Sequence, residues 1–198
     1  PPVRLNRRMW AGGALEFLAP LHIGERLTRE TRITNISEKS GAAGDMVFVT
    51  LEHTISGESG LAVREQQDIV YLNIPDTFRA PKAVPAPQSD LTEQADVTAP
   101  LLFRYSAITF NAHRIHYDLP YTQEVEHYPD LVVHGPLQAN LLMDMATRHR
   151  GRAPAMFSFH GVHPVFVSDV VELAATKTSD AEWSLCTVAG GTHQGMQA

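Results

Sequence analysis

The stretch 46–72 constrains this chain most. Over 46–55, Val47, Val49, Leu51 and Ile55 share one parity and Thr50, Glu52 and Thr54 the other, with His53 interrupting the apolar side. A period of two marks a strand with one buried face. The turn cluster Ser-Gly-Glu-Ser-Gly follows at 56–60, after which Leu61, Val63, Ile69 and Tyr71 resume a single parity. Two such runs about a glycine-bearing turn predict an antiparallel hairpin. The Thr- and Ile-rich run 25–36 adds a third strand, closed by the loop 37–45 with Gly41 and Gly44. The first part of the chain therefore reads as an antiparallel meander. Glu65 and Gln67 stand on the apolar face of their strand, which fits a bulge, a solvent-facing strand end or a polar remnant.

Beyond residue 75 the composition changes. Pro81, Pro85, Pro87 and Pro100 sit among Ala, Gln, Ser and Asp with no period, the composition of an extended linker over 76–100. The apolar run 101–108 is too short to assign by period. A helix follows, with Pro136 at the favoured first position and Leu137, Leu141 and Met145 repeating at i, i+4 and i+8. Leu142, Met143 and Ala146 make it apolar nearly all round, which predicts enclosure by a sheet. Strand-like segments come after it at 156–160, 165–176 and 183–188. One helix among strands is an α+β arrangement. The expected organisation is an N-terminal half over 1–75, a linker over 76–100 and a C-terminal half over 101–198.

A chain of 198 residues can enclose a real core, and several classes fall away on composition. Its one cysteine, Cys186, cannot form an intrachain disulfide, which points to a reducing compartment, the cytoplasm. The most apolar run, 131–146, is broken by His134, Gly135, Pro136, Gln138, Asn140 and Asp144, so no membrane span is expected. A formal charge of −6 without a Lys/Arg cluster argues against nonspecific nucleic-acid binding. The chain opens on Pro1-Pro2, and Arg4, Arg7 and Arg8 lead into Gly12-Gly13 rather than an apolar leader core, which predicts an internal start.

The chemistry concentrates in 103–135, which holds four of the ten histidines: His113, His116, His127 and His134. Histidine is the side chain best suited to proton transfer near neutral pH. Three readings stand. His113 and His116, three apart, could share a metal, although no His-Glu-x-x-His pattern or cysteine partner completes a ligand set. Any of the histidines could be a hydrogen-bonded packing residue. The third reading is acid/base catalysis beside the N-terminus of the helix at Gly135, whose free N–H groups can hold a developing oxyanion.

Two separated segments carry a resemblance. Thr-Phe-Asn-Ala-His-Arg-Ile-His-Tyr-Asp at 109–118 and Leu-Val-Val-His-Gly-Pro-Leu at 131–137 resemble the signature of the MaoC-like dehydratases, the hydratase-2 family. The branch resembled is that of 3-methylfumaryl-CoA hydratase and the fungal mitochondrial 3-hydroxyacyl-thioester dehydratases. The likeness extends to Arg-Met-Trp-Ala-Gly-Gly at 8–13. It implies a double hot-dog fold and an acyl-CoA substrate with no separate cofactor. The strand edges of a single hot-dog half need covering, so a double-hot-dog monomer or a homodimer of these is expected, the homodimer being favoured. The resemblance also implies a helix ahead of Pro1, since the N-terminal half shows none of its own, and a mitochondrial matrix location if the source is fungal.

In that family an Asp and, five residues later, a His activate water for syn addition across the 2,3 double bond. The His is carried onto His116. The Asp position falls on Asn111, and an amide cannot act as a base, so Asn111 is expected to orient the water or the imidazole. Gly135 becomes the oxyanion donor and His134 a substrate contact. Asp118 is a reserve carboxylate that could equally cap a turn. Arg104 and Arg114 are candidates for a distal carboxylate or a CoA phosphate, or else for surface ion pairs. A hot-dog thioesterase and a noncatalytic acyl-thioester-binding module are the competing functions.

Overall fold

The computed structural model describes residues 3–41 and 44–198; Pro1-Pro2 and the tip of the 37–45 loop, and with them the expected internal start, lie outside the described residues. In chain order the strands are β1 (Arg7–Phe17), β2 (Thr28–Gly41), β3 (Gly44–Gly57), β4 (Gly60–Leu72), β5 (Leu91–Ala95), β6 (Met156–Gly161), β7 (Val171–Lys177), β8 (Trp183–Ala189) and β9 (His193–Gln197). The helices are α1 (Ala99–Ile108), α2 (Leu119–Glu124) and α3 (Gly135–Arg150), with a 3-10 turn at Arg114–His116. The chain divides into two compact units, one of Pro1–Ile74 with Pro154–His160 and the other of Pro75–Ala153 with Gly161–Ala198.

The first unit is an antiparallel sheet in the order β2-β3-β4-β1-β6, with no helix among its described residues. The predicted hairpin is β3–β4, closing at Gly57 and Gly60, where φ is 104° at Gly60. Glu65 and Gln67 are regular ladder positions, opposite His53 and Leu51, so neither marks a bulge or a strand end. His53 is buried with its Nδ1 2.8 Å from Thr31 Oγ1. Strand β1, from Arg7 to Phe17, lies ahead of the predicted strand runs. Its paired glycines hide it from a propensity reading, yet the packing demands them: a Cβ on Gly12 would lie 2.7 Å from the Phe159 carbonyl oxygen, and one on Gly13 2.9 Å from that of Gln66. The segment 156–160, expected in the second half, is instead β6 of this unit, paired with β1 from Gly12↔His160 to Glu16↔Met156.

The second unit lays α3 across β7, β8 and β9. Its sheet runs β9-β8-β7-β5, and Leu102, Leu137, Val165 and Val171 lie in the core between. The stretch 76–100 is not a free linker. Leu91–Ala95 pairs with β7, and Thr98 caps α1 by accepting from the Leu101 N–H at 3.4 Å, with a proline in the first turn. Strand propensity is absent from 91–95, but backbone pairing to β7 does not need it. The predicted strand 165–176 is confined to β7; 165–167 instead lies along 131–133, with the Val133 N–H donating to the Val165 carbonyl at 2.8 Å and the Val167 N–H to that of Leu131 at 2.9 Å.

Helix α3 is one-sided rather than apolar all round. Leu137, Leu142 and Met145 are buried while Asn140, Asp144 and Arg148, at i, i+4 and i+8, face solvent. Arg148 there bonds Asp144 at 2.9 Å and reaches Glu93 of β5 at 2.7 Å. Buried polar bonds fix the helix to the sheet: Thr187 Oγ1 donates to Gln138 Oε1 at 2.7 Å and accepts from the Met196 N–H at 2.9 Å. Gly195 makes this possible, since a Cβ there would overlap Val165 and sit 2.9 Å from Thr187 Oγ1 and 3.0 Å from Gln138 Oε1. Gly195→Ala should lower unfolding stability by about 1–3 kcal/mol through overpacking, read as a fall in the urea midpoint. Among the described residues no helix is long and apolar enough to cross a membrane.

Candidate active site

Three ring systems and a hydroxyl from three elements meet where α3 begins. His116 comes from the 3-10 turn, His134 stands at the N-cap of α3, and Tyr105 and Ser106 belong to α1. The His116 and His134 rings stack with centroids 3.6 Å apart and planes 18° from parallel. Tyr105 meets His134 edge-on at 4.9 Å.

His116 is held by the backbone. Its Nδ1 lies 2.7 Å from the Val132 carbonyl oxygen, which can only accept, so Nδ1 carries the hydrogen and Nε2 of the neutral ring keeps its lone pair. Val132 is itself placed by its N–H donating to the Ile115 carbonyl at 2.9 Å. Burial pushes the His116 pKa down to about 4, assisted by His113 and opposed by the Val132 carbonyl and Glu126. The ring is therefore a neutral base at physiological pH.

His134 is fully buried, and its Nε2 lies 2.8 Å from Ser106 Oγ. Burial, then the neighbouring His116 and His113, push its pKa down to about 3. Because the ring turns to Ser106, no side chain caps α3, and Pro136 in its first turn has no N–H to offer. The Gly135 amide thus stands at the positive end of a 16-residue helix. A Cβ on Gly135 would come only within 3.6 Å of Met196 Cε, an ordinary contact, so the packing does not require glycine there. What glycine provides is close approach from the open side.

The other predicted residues are placed differently. Asn111 does not hold the imidazole: its Oδ1 accepts from the His113 N–H at 3.0 Å, a local Asx turn. Asp118 caps α2, its Oδ1 accepting from the Tyr121 N–H at 3.1 Å, while Oδ2 takes Nε and Nη2 of Arg114 at 2.9 and 2.6 Å. That guanidinium holds the Asp118 carboxyl below the usual carboxylate range. Arg114 also lies 4.1 Å over the Tyr121 ring, so it is engaged within its own turn. Asp118→Ala should lower unfolding stability through the lost cap, read as a fall in the urea midpoint. Arg104 is exposed on α1 and lies roughly 200° around the helix from Ser106. His127 sits in the turn after α2 at φ 61°.

One residue escapes the sequence reading. Glu126 is 2% exposed, and its Oε1 lies 2.7 Å from Nε2 of His113 and 3.5 Å from the Tyr121 hydroxyl. The His113 ring stands edge-on to His116, centroids 5.7 Å apart. An acidic residue in the quoted window is visible in the sequence, but its burial and its partner are not. Among the described residues no group of three or more His, Cys, Asp or Glu could hold a metal ion, so the spacing of His113 and His116 acquires no further ligands.

Known proteins share this arrangement of chain. Mesaconyl-C(4)-CoA hydratase of Chloroflexus aurantiacus is 46% identical over 182 residues, covering 91% of this chain and 65% of that protein. The mitochondrial hydroxyacyl-thioester dehydratase type 2 of Schizosaccharomyces pombe is 28% identical, covering 90% of this chain and 68% of that one. The chain thus spans about two thirds of the length of these relatives. Among solved structures, a MaoC-like dehydratase superposes with a TM-score of 0.79 at 15% identity, over 98% of this chain and 75% of that chain. A Mycobacterium tuberculosis protein described as a double hotdog fold gives 0.60 at 17% identity, over 98% and 74%. The fold is accordingly the double hot-dog. A sequence profile for hydroxyacyl-thioester dehydratase type 2 matches residues 1–167, and by that match the chain belongs to the hydroxyacyl-thioester dehydratase type 2 family.

Proposed function

We propose that the protein catalyses the reversible addition of water across the 2,3 double bond of a 2-enoyl-CoA, giving a 3-hydroxyacyl-CoA. One observation carries the reading: a buried imidazole, held neutral by its surroundings, stacks on the residue that opens α3, next to the uncapped Gly135 amide. In the hydration direction Nε2 of His116 takes a proton from water as the water oxygen bonds to the β-carbon. The π electrons move onto the α-carbon and the thioester oxygen, which the Gly135 N–H and the helix dipole receive. The imidazolium then returns its proton to the α-carbon on the same face, and the ring is neutral again. These steps ask for no cofactor beyond the CoA carried by the substrate.

For the acyl group, a short branched or dicarboxylic chain such as 3-methylfumaryl is the reading favoured by the 46% identity to a protein named mesaconyl-C(4)-CoA hydratase. Arg104, exposed on α1, is the cation left to test against a distal carboxylate, because Arg114 is engaged by Asp118. A homodimer and a cytoplasmic location, or the mitochondrial matrix in a fungal source, complete the proposal. The buried Cys186, its thiol pushed up to about 11 by burial, suits a reducing compartment without depending on one.

The test is one assay with two readouts, loss of enoyl absorbance and release of free thiol from CoA. Enoyl loss without thiol supports the hydratase. Thiol release identifies a thioesterase, and binding without either change identifies the noncatalytic module that Asn111 in the Asp position favours.

A further inference from the structure

We propose that Glu126, acting through His113, is the positioning carboxylate of this site and performs the task that Asn111 cannot. The inference rests on the hydratase reading of His116 and adds a residue to it. Asn111 has no negative charge to offer and spends its Oδ1 on the His113 N–H. The carboxylate that is present arrives from the other side of α2: Glu126, 2% exposed, 2.7 Å from Nε2 of His113. A buried carboxylate is retained where it is paired, and one of its partners here is an imidazole whose side chain is still 26% exposed.

The pairing has two consequences. A carboxylate oxygen accepts, so Nε2 of His113 carries the hydrogen and the ring orientation is fixed. His113 then presents its edge to His116 at a centroid distance of 5.7 Å, with planes 80° apart. When His116 takes the proton from water it becomes an imidazolium in a buried setting, flanked by two further imidazoles, His113 and His134. Of the groups facing it, Glu126 is the anion that favours that charge, whereas His113 and burial oppose it. Tyr105, on His134, is a phenol whose pKa burial raises, so it stays neutral in the working range, and the Tyr121 hydroxyl also lies on Glu126. Glu126 thus lowers the cost of the charged intermediate.

The experiment compares wild type, Glu126→Gln, His113→Gln, the double variant and His116→Ala in the full chain, on an enoyl-CoA that wild type hydrates. Glu126→Gln should lower kcat about 10- to 100-fold with KM nearly unchanged, and shift the acidic limb of kcat/KM to lower pH, because His116 loses the anion that favours its protonation. His113→Gln should lower kcat to a similar extent, and the double variant should lose little more, since the pair works as a unit. A thermal melt identifies a variant that does not fold; the His113→Gln result then decides. Wild-type kcat with an unmoved limb in folded Glu126→Gln, or strictly additive losses in the double variant, overturns the proposal. If wild type hydrates and His116→Ala does not, that failure belongs to Glu126 alone. A wild type that hydrates no enoyl-CoA overturns both readings together.

Discussion

His116→Ala should lower kcat for enoyl-CoA hydration by about 10²–10⁴-fold, the loss expected when a positioned acid/base group is removed. The effect should appear in kcat and kcat/KM alike, because the ring's transferred proton exists only along the reaction path. The pH profile of wild type gives the complementary signature. Only the neutral ring accepts a proton, and burial holds its pKa at about 4, so kcat/KM should stay level through neutral pH and fall only toward that value. An exposed histidine in the same role would lose activity nearer pH 6.5. A folded His116→Ala protein with near wild-type kcat, or a profile that falls near pH 6.5, would remove His116 from the mechanism.

The second large effect is on stability in mild acid. His116 and His134 have their folded pKa values pushed down to about 4 and about 3, chiefly by burial, while in the unfolded chain both return to about 6.5. Between those limits the unfolded state binds more protons than the folded one, so stability is full above about pH 6.5 and declines as pH falls. Each ring contributes a slope of about 1.4 kcal/mol per pH unit, and with the rings stacked at 3.6 Å the pair titrates as one coupled system. Unfolding stability should therefore fall by several kcal/mol from pH 7 to about pH 4.5, read as a drop in the urea midpoint, before the carboxylates enter. Glu93, held at about 2 by Arg148 and then His149, adds its own loss below its ordinary range, at lower pH. His134→Gln should flatten the upper part of this curve. A urea midpoint constant from pH 7 to pH 5 would contradict the buried neutral pair.

Much of the fold is legible in local pattern, and particular residues show where legibility stops. The alternation through Val47 to Ile55 predicts β3, the 56–60 cluster its turn, and Gly135-Pro136 the start of α3. These features depend on neighbours within a few residues, which a sequence displays. Strand β5 and helix α1 lie in and beside a Pro-rich stretch with no usable period, and their stability comes from β7 and from Leu102 in the core. The exposed stripe Asn140, Asp144 and Arg148 was open to counting, but Leu141 and Met143 on the flanks mask it until burial separates the faces. For the site, the motif brings forward His116, His134 and Gly135, which the fold gathers around the start of α3. It also brings forward Asp118 and Arg114, which the fold binds to each other.

By itself the sequence determined the antiparallel meander, the α+β character of the second unit and the helix that begins at Gly135, and its motif singled out His116 as the candidate base. Each follows from side-chain period, turn chemistry or a motif of adjacent residues. Tertiary structure decided which strand β1 receives from the far part of the chain, how Asn111 and Asp118 are occupied, and that a carboxylate at Glu126 reaches His113. It also decided that the His116 pKa is pushed down, because desolvation and the neighbouring His113 are properties of the assembled surroundings. A pKa near 4 and a 2.7 Å bond across 13 residues arise only when α1, the 3-10 turn and the N-terminus of α3 close around the same point.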